Sequence, residues 1–243
     1  MDSGDGGAES WPGQWDGETD SGDDAESGHG TDGDQTSEGR GPLARVRWFM
    51  DTDEEWVAFV REVASSLAIV AVIGLLLFAV SGIWPPMVAV ESGSMSPNLQ
   101  IGDLVFIMEE HRFAGAAAHG GTGVVPFHAG AAVGYKEFNK YGDVIVYRRY
   151  GREHTTPIIH RARFWVNGGE NWYDEANQAY VGSADNCKEL ANCPAEHAGF
   201  ITKGDNNVVY DQVDTGLGPI SSPVKPKWII GTAEFRIPWL GRI

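Results

Sequence analysis

Positive charge is missing from the first 39 residues, which are rich in Gly, Ser, Asp and Glu and hold no Lys or Arg. Such a segment cannot bury enough apolar surface to offset its ordering entropy. It is expected to be a disordered acidic tail with no catalytic role. It also lacks the basic start and apolar core of a secretory signal peptide. The imbalance is local: residues 1–55 carry 16 acidic and 3 basic residues, a net −13, whereas residues 87–243 carry 17 and 14, a net −3. The formal charge of −16 is therefore a property of the tail. A basic patch of the kind phosphate binding needs is absent, so nucleic acid is not expected as a partner. A sequence pI near 4.7 suits a high-salt organism, but the nearly neutral C-terminal part weakens that inference.

Cysteine is scarce as well. Cys187 and Cys193, with five residues between them, are the two in the chain. A small disulfide loop, which needs an oxidising compartment, and a pair of free thiols both remain open. A zinc site with His197 lacks a fourth ligand. Internal repeats are absent.

Charge of either sign is missing from Val63 to Trp84, VASSLAIVAVIGLLLFAVSGIW. As a helix this run spans roughly 33 Å, enough for a hydrocarbon core of about 30 Å. A buried core helix would be shorter and would show a polar face. Arg40, Arg45, Arg47, Trp48 and Phe49 precede it, a composition suited to a membrane interface. Thr52 and Glu55 have the spacing of a capping box, predicting a helix from there to about Ile83, stopped by Pro85 and Pro86. Arg40, Arg45, Arg47 and Arg61 lie before the run, and no Lys or Arg follows it until Arg112. The positive-inside rule then puts the N-terminus in the cytoplasm and residues 87–243 outside.

After the run the pattern turns to short β-rich segments punctuated by glycine. Strands are predicted at about Met87–Glu91, Asp103–Met108, Asp143–Arg148, Ile158–Val166, Phe200–Thr202 and Ile229–Ile237. Three parts are thus expected. Residues 1–50 form the tail with its basic-aromatic end. Residues 51–86 form the entry helix and a single span at about 63–84. Residues 87–243 form an extracytoplasmic β domain with insertions at about 109–140 and 167–198. The first insertion holds His111, His119 and His128 at irregular spacing with no acidic or Cys cluster, and reads as solvated rather than metal-binding.

Four stretches of the last part carry chemistry. Glu91-Ser-Gly-Ser-Met-Ser-Pro97 sets Ser94 between glycine and a bulky residue, with Ser92 able to reach the same reacting carbonyl. Gly142-Asp-Val-Ile-Val-Tyr147 is a strand entered by a turn, and Asp103 and Asp143, each after glycine, read as turn formers. Ile158-Ile-His-Arg-Ala162 places His160 in an apolar β run. Thr202-Lys-Gly-Asp-Asn-Asn207 is a turn-rich loop with Asp211 shortly beyond. A serine nucleophile at neutral pH needs a base within hydrogen-bond reach, and often a third group to orient that base. Ser94, His160 and an aspartate at 205 or 211 supply those types. Of the two acids, Asp205 sits where an Asx-turn residue is common, whereas Asp211 follows an apolar stretch and leaves the turn.

In this order behind one apolar run, the stretches resemble type I signal peptidases of the archaeal and endoplasmic-reticulum branch. The likeness runs over SGSMSP with IGD (92–103), GDVIVY, IIHRA, TKGDNN with Asp211, and FRIPWLG (235–241). It covers residues 63–243 apart from the two insertions. The bacterial branch has lysine where His160 stands. The resemblance implies a mostly β catalytic domain of signal-peptidase type on the outer membrane face. It implies secretory preproteins as substrates, cut after a small residue, and an association with the secretion translocon. It implies catalytic positions at Ser94, His160 and Asp211, with Asp205 as the second acidic residue of the same motif. The Ser94 backbone N–H and the Ser92 hydroxyl would hold the oxyanion, and no metal or cofactor is expected. Some relatives have a second span after the final motif; one span is expected here. Two rivals stand beside this reading. A self-cleaving repressor-type peptidase would be soluble with a lysine base. A non-catalytic membrane-anchored subunit that binds signal peptides for a partner need not keep Ser, His and Asp together.

Overall fold

The computed structural model describes residues 41–52 and 54–241. The expected disordered tail over residues 1–39 lies outside the described residues. The described residues fall into two units that divide after Ala58.

In the first unit, helix α1 spans Pro42–Asp51. Pro42 occupies its first turn, where the missing N–H is no loss and the ring presets φ. Thr52 closes this helix: its backbone is extended and its N–H donates to Trp48 O at 3.0 Å. The predicted capping box is therefore corrected, because Thr52 ends the helix before it rather than starting the next.

Helix α2, Glu55–Ser81, is 27 residues long, roughly 40 Å. Its most apolar window has a mean hydropathy of 2.7 and none of it is buried by protein, so it is not a core helix. By length and composition it is sufficient to cross a membrane. It stops two residues before the predicted Ile83. Gly82 takes the left-handed conformation at φ +76° and its N–H donates to Phe78 O, a turn that glycine makes without steric cost.

The remainder is mostly sheet. Strands β1 Met87–Ala89 and β2 Leu104–Met108 come first, followed by helix α3 Phe127–Val133. Lys136–Glu137 and Lys140–Tyr141 form a small hairpin, β3 and β4. Then come β5 Val144–Tyr147, β6 Ile158–Val166, β7 Gly199–Lys203 and β8 Ile229–Ile237. The main sheet has six antiparallel strands in the order β1-β2-β8-β5-β6-β7. All six were predicted, to within a few residues. Alternation along β5 explains why the sheet is buried on both faces. Val144 and Val146 join Val90, Met95, Leu99 and Val105 in one core, while Ile145 and Tyr147 join Val124, Ala162 and Phe200 in another.

Both insertions are largely exposed or half-buried, but each is anchored to the domain by a few buried residues. In the first, Val124 and Val125 are buried, and Val125 N–H donates to Asp143 Oδ2 at 2.7 Å while Tyr135 donates to Oδ1 at 2.7 Å. Asp143 is thus a buried anchor and not merely a turn former. Asp103 likewise accepts from Gln100 N–H and from Arg236 at 2.7 Å, tying β2 to β8. In the second insertion Trp172, Val181, Leu190 and Ala195 are buried with Phe164, Ile201 and Tyr210 in a third core. Cys187 and Cys193 form a disulfide there, which decides between the two readings left open. His111 does have acidic neighbours, Glu109 and Glu110, but its two ring nitrogens are bonded to Glu109 and to Gly121 O.

Candidate active site

Ser94 is presented by a single 3₁₀ turn, Gly93–Met95, that follows β1. The buried side chains of Met95 and Leu99 pin the turn to the core, and the N–H groups of Asn98 and Leu99 both donate to Met95 O. The loop after β7 clamps the turn from the other side. Asn206 N–H donates to Ser94 O at 2.8 Å and Asn206 Nδ2 donates to Gly93 O at 3.1 Å. Gly204 permits this approach, because a Cβ there would stand 2.7 Å from Ser94 O. The hydroxyls of Ser92 and Ser94 lie 3.1 Å apart, as a hydrogen-bonded pair.

His160 stands on β6, buried, and its Nδ1 lies 2.7 Å from Asp211 Oδ2. Asp211 is fully buried, which works to push its carboxyl up. The charge and hydrogen bond of His160, with the hydroxyls of Thr202 and Tyr147, outweigh burial and hold it below the usual carboxylate range. An ionised carboxylate only accepts, so Nδ1 carries a proton, and in the neutral imidazole Nε2 then holds the lone pair. That is the tautomer a general base needs.

Ser92, Ser94 and His160 line one cleft of about 570 Å³. Its walls are largely apolar, from Val88, Val90, Leu99, Val146, Ile158 and Ile220. Val88 and Ala89 lie in β1, an edge strand of the sheet, and Val90 and Glu91 continue from it, so one wall of the cleft is a sheet edge.

Asp205 is elsewhere. Its carboxylate accepts two bonds from Arg161, at 2.9 and 2.8 Å, and one from Asn98 Nδ2 at 2.8 Å. Burial pushes its carboxyl up, but the Arg161 bonds and charge, then Asn98 and Lys140, bring it below the usual range. The expected local turn bonds are therefore replaced by an ion pair between the loop after β7 and Arg161 on β6. Arg161, fully buried, also donates to Gly142 O at 2.6 Å and Glu137 O at 3.0 Å. Sequence reasoning missed Arg161. Its signal was a charged residue inside an apolar β run, beside His160. Asn98 and Tyr147 were missed too, and for them only the partner reveals the use.

The structure thus brings Ser92, Ser94 and His160 to one cleft with Asp211 behind the imidazole, and sets Asp205 on Arg161. Fold and site define a mostly β domain that follows, among the described residues, one helix long and apolar enough to cross a membrane. No family model matches the chain, and no curated protein matches it.

Proposed function

We propose that the chain is a membrane-bound serine endopeptidase of signal-peptidase type that removes signal peptides from secretory preproteins, cutting after a small residue. The observation that carries this reading is the buried His160 Nδ1–Asp211 Oδ2 bond of 2.7 Å at the wall of the cleft that also holds Ser94. In the reaction Ser94 Oγ attacks the scissile carbonyl while His160 Nε2 takes its proton. The imidazolium, stabilised by Asp211, then gives that proton to the leaving amine, and water releases the acyl group by the same route. The Ser94 N–H and the Ser92 hydroxyl hold the oxyanion. The apolar cleft beside edge strand β1 suits an extended peptide that adds to the sheet through its backbone and buries small apolar side chains.

Helix α2 is the span, with the N-terminus cytoplasmic and the β domain outside. The arginines before α2 support that orientation. The Cys187–Cys193 disulfide supports it independently, because such bonds persist on the oxidising side of a membrane. A site so placed meets preproteins as they emerge from the secretion translocon.

The test is cleavage of a preprotein by the purified full chain in detergent, with no other subunit. Ser94→Ala should lower kcat by about 10³–10⁶-fold and leave substrate binding nearly intact, as for nucleophile removal in other serine proteases. Equal cleavage by the two proteins would remove the basis of the assignment. Binding without cleavage by both would favour the non-catalytic subunit.

A further inference from the structure

Three adjacent strands converge on one oxygen atom. Tyr147 ends β5, His160 lies on β6 and Thr202 on β7. Tyr147 Oη donates to Asp211 Oδ2 at 2.9 Å and Thr202 Oγ1 donates to it at 2.7 Å. His160 Nδ1 meets the same oxygen at 2.7 Å. Asp211 Oδ1, by contrast, is buried with no hydrogen-bond partner among the described residues. Both oxygens of an ionised carboxylate can accept. Here every donor is gathered on the oxygen that faces the imidazole.

Both hydroxyls sit on residues with no exposed surface. Each hydroxyl has one proton to give, and each gives it to Oδ2. Thr202 is itself held: its N–H donates to Gln212 Oε1 at 3.0 Å, and Asp211 N–H donates to Thr202 O at 2.9 Å. The backbone of the Asp211 segment is therefore fixed to β7, and the hydroxyls finish the job at the side chain. Phenylalanine would fill the Tyr147 site in the core as well as tyrosine does. The hydroxyl adds nothing to packing and needs a partner once buried.

We propose that Tyr147 and Thr202 are positioning residues of the site, whose hydroxyls hold Asp211 Oδ2 against His160 Nδ1 and share its negative charge. The inference rests on the peptidase reading for its kinetic consequence. Sharing the charge has a defined effect. It keeps the proton on the imidazole, so that His160 can pass it to the leaving group instead of losing it to Asp211. It also limits how strongly Asp211 favours the imidazolium. Arg149, whose charge acts on Tyr147, and Lys203, whose charge interacts with Asp211, are the other charged groups felt here, and the variants below leave both in place.

The experiment compares full-length wild type, Tyr147→Phe, Thr202→Val and Thr202→Ser in detergent. Preprotein cleavage is followed from pH 5 to 9, and the imidazole titration is followed by NMR of histidine-labelled protein, with His160 assigned by its loss in His160→Gln. Tyr147→Phe and Thr202→Val should each lower kcat about tenfold with KM unchanged, on the scale of one hydrogen bond to a charged group. Both should move the acid limb of the pH–rate profile, and the NMR titration, to higher pH, because Asp211 then presents more charge to the imidazolium. Thr202→Ser should restore both. Loss of kcat with neither titration moved would mean that the hydroxyls only support the fold, and the proposal would be wrong. A titration moved to lower pH would also overturn it. If wild type cleaves no preprotein, the peptidase reading fails, while the NMR titration still decides whether the hydroxyls act through Asp211.

Discussion

Asp205 and Asp211 are the same residue type, six positions apart, and the two do different work. Asp211 is bonded to His160 Nδ1; on the proposed reading it orients the imidazole and stabilises the imidazolium, so Asp211→Asn should lower kcat on the order of 10²–10⁴-fold in a protein that unfolds near the wild-type temperature. Asp205 neutralises Arg161, which has no exposed surface. Removing one partner of a buried pair leaves the other charge uncompensated, so Asp205→Ala should lower stability by about 3–5 kcal/mol, read as a fall in Tm. A variant pair with these two effects exchanged would mean the roles are reversed. The distinction matters because Asp205 also touches the serine side, through Asn98, and a loss of activity alone would not separate the two.

The strands and loops carry a second titration. Asp143 leads into β5 and holds the first insertion through Val125 and Tyr135. Burial pushes its carboxyl up to about 6, Glu234 adds to this, and the bonds from Val125 and Tyr135 with the charge of Arg161 only partly oppose it. Glu137 on β3 is pushed up to about 7 by burial, then by Glu234 and Asp143. For an acid raised in the folded state, the linked stability is fully present below the ordinary value of 3.8 and is lost as pH rises through about 6. Tm of the wild type should therefore carry a falling contribution between about pH 4 and 7. Asp143→Asn can still accept from Val125 N–H and turns its amide to Tyr135 Oη. It should flatten that decline and gain about 2–3 kcal/mol at neutral pH, on the scale of two pKa units in a largely buried group. A variant that declines as steeply as wild type would show that Asp143 stays ionised.

At the scale of the whole chain the question is sidedness. One helix of sufficient length and apolarity precedes a domain that contains a disulfide. With the proposed orientation, protease added to inverted vesicles should remove residues 1–50, and protease outside intact cells should leave them. Digestion of the tail from the outer side would reverse the assignment and separate the site from emerging preproteins. Reduction of Cys187–Cys193 should loosen the second insertion around Trp172 and Leu190. Closing so short a loop stabilises by about 2 kcal/mol in the chain-entropy picture, and the loss should appear as a lower Tm in reductant.

What the sequence determined by itself was local. Runs such as Val144–Tyr147 and Ile158–Val166 are strands because β-branched and aromatic residues fit a pleated, buried surface. The uncharged run could only be a long apolar helix, since none of the residues offered a polar face. Ser94 and His160 could be named as candidates because four stretches follow the uncharged run in one order; a serine after glycine or a histidine in an apolar strand does not single itself out alone. The partners were not legible. His160 meets Asp211 across 51 positions and Arg161 meets Asp205 across 44, and strand register sets both distances. A turn-rich loop holding two aspartates does not reveal which carboxylate lies behind which strand. The same holds for Thr52, whose spacing to Glu55 fits a cap until the preceding residues form a helix of their own. It holds for the Gly/Ala-rich insertion, whose Val124 joins Ile145 and Phe200 in the core and whose Val125 is tied to Asp143. Composition sets what a segment can bury; tertiary structure decides what it is buried against, because contacts distant in sequence exist only once the sheet has brought their strands together.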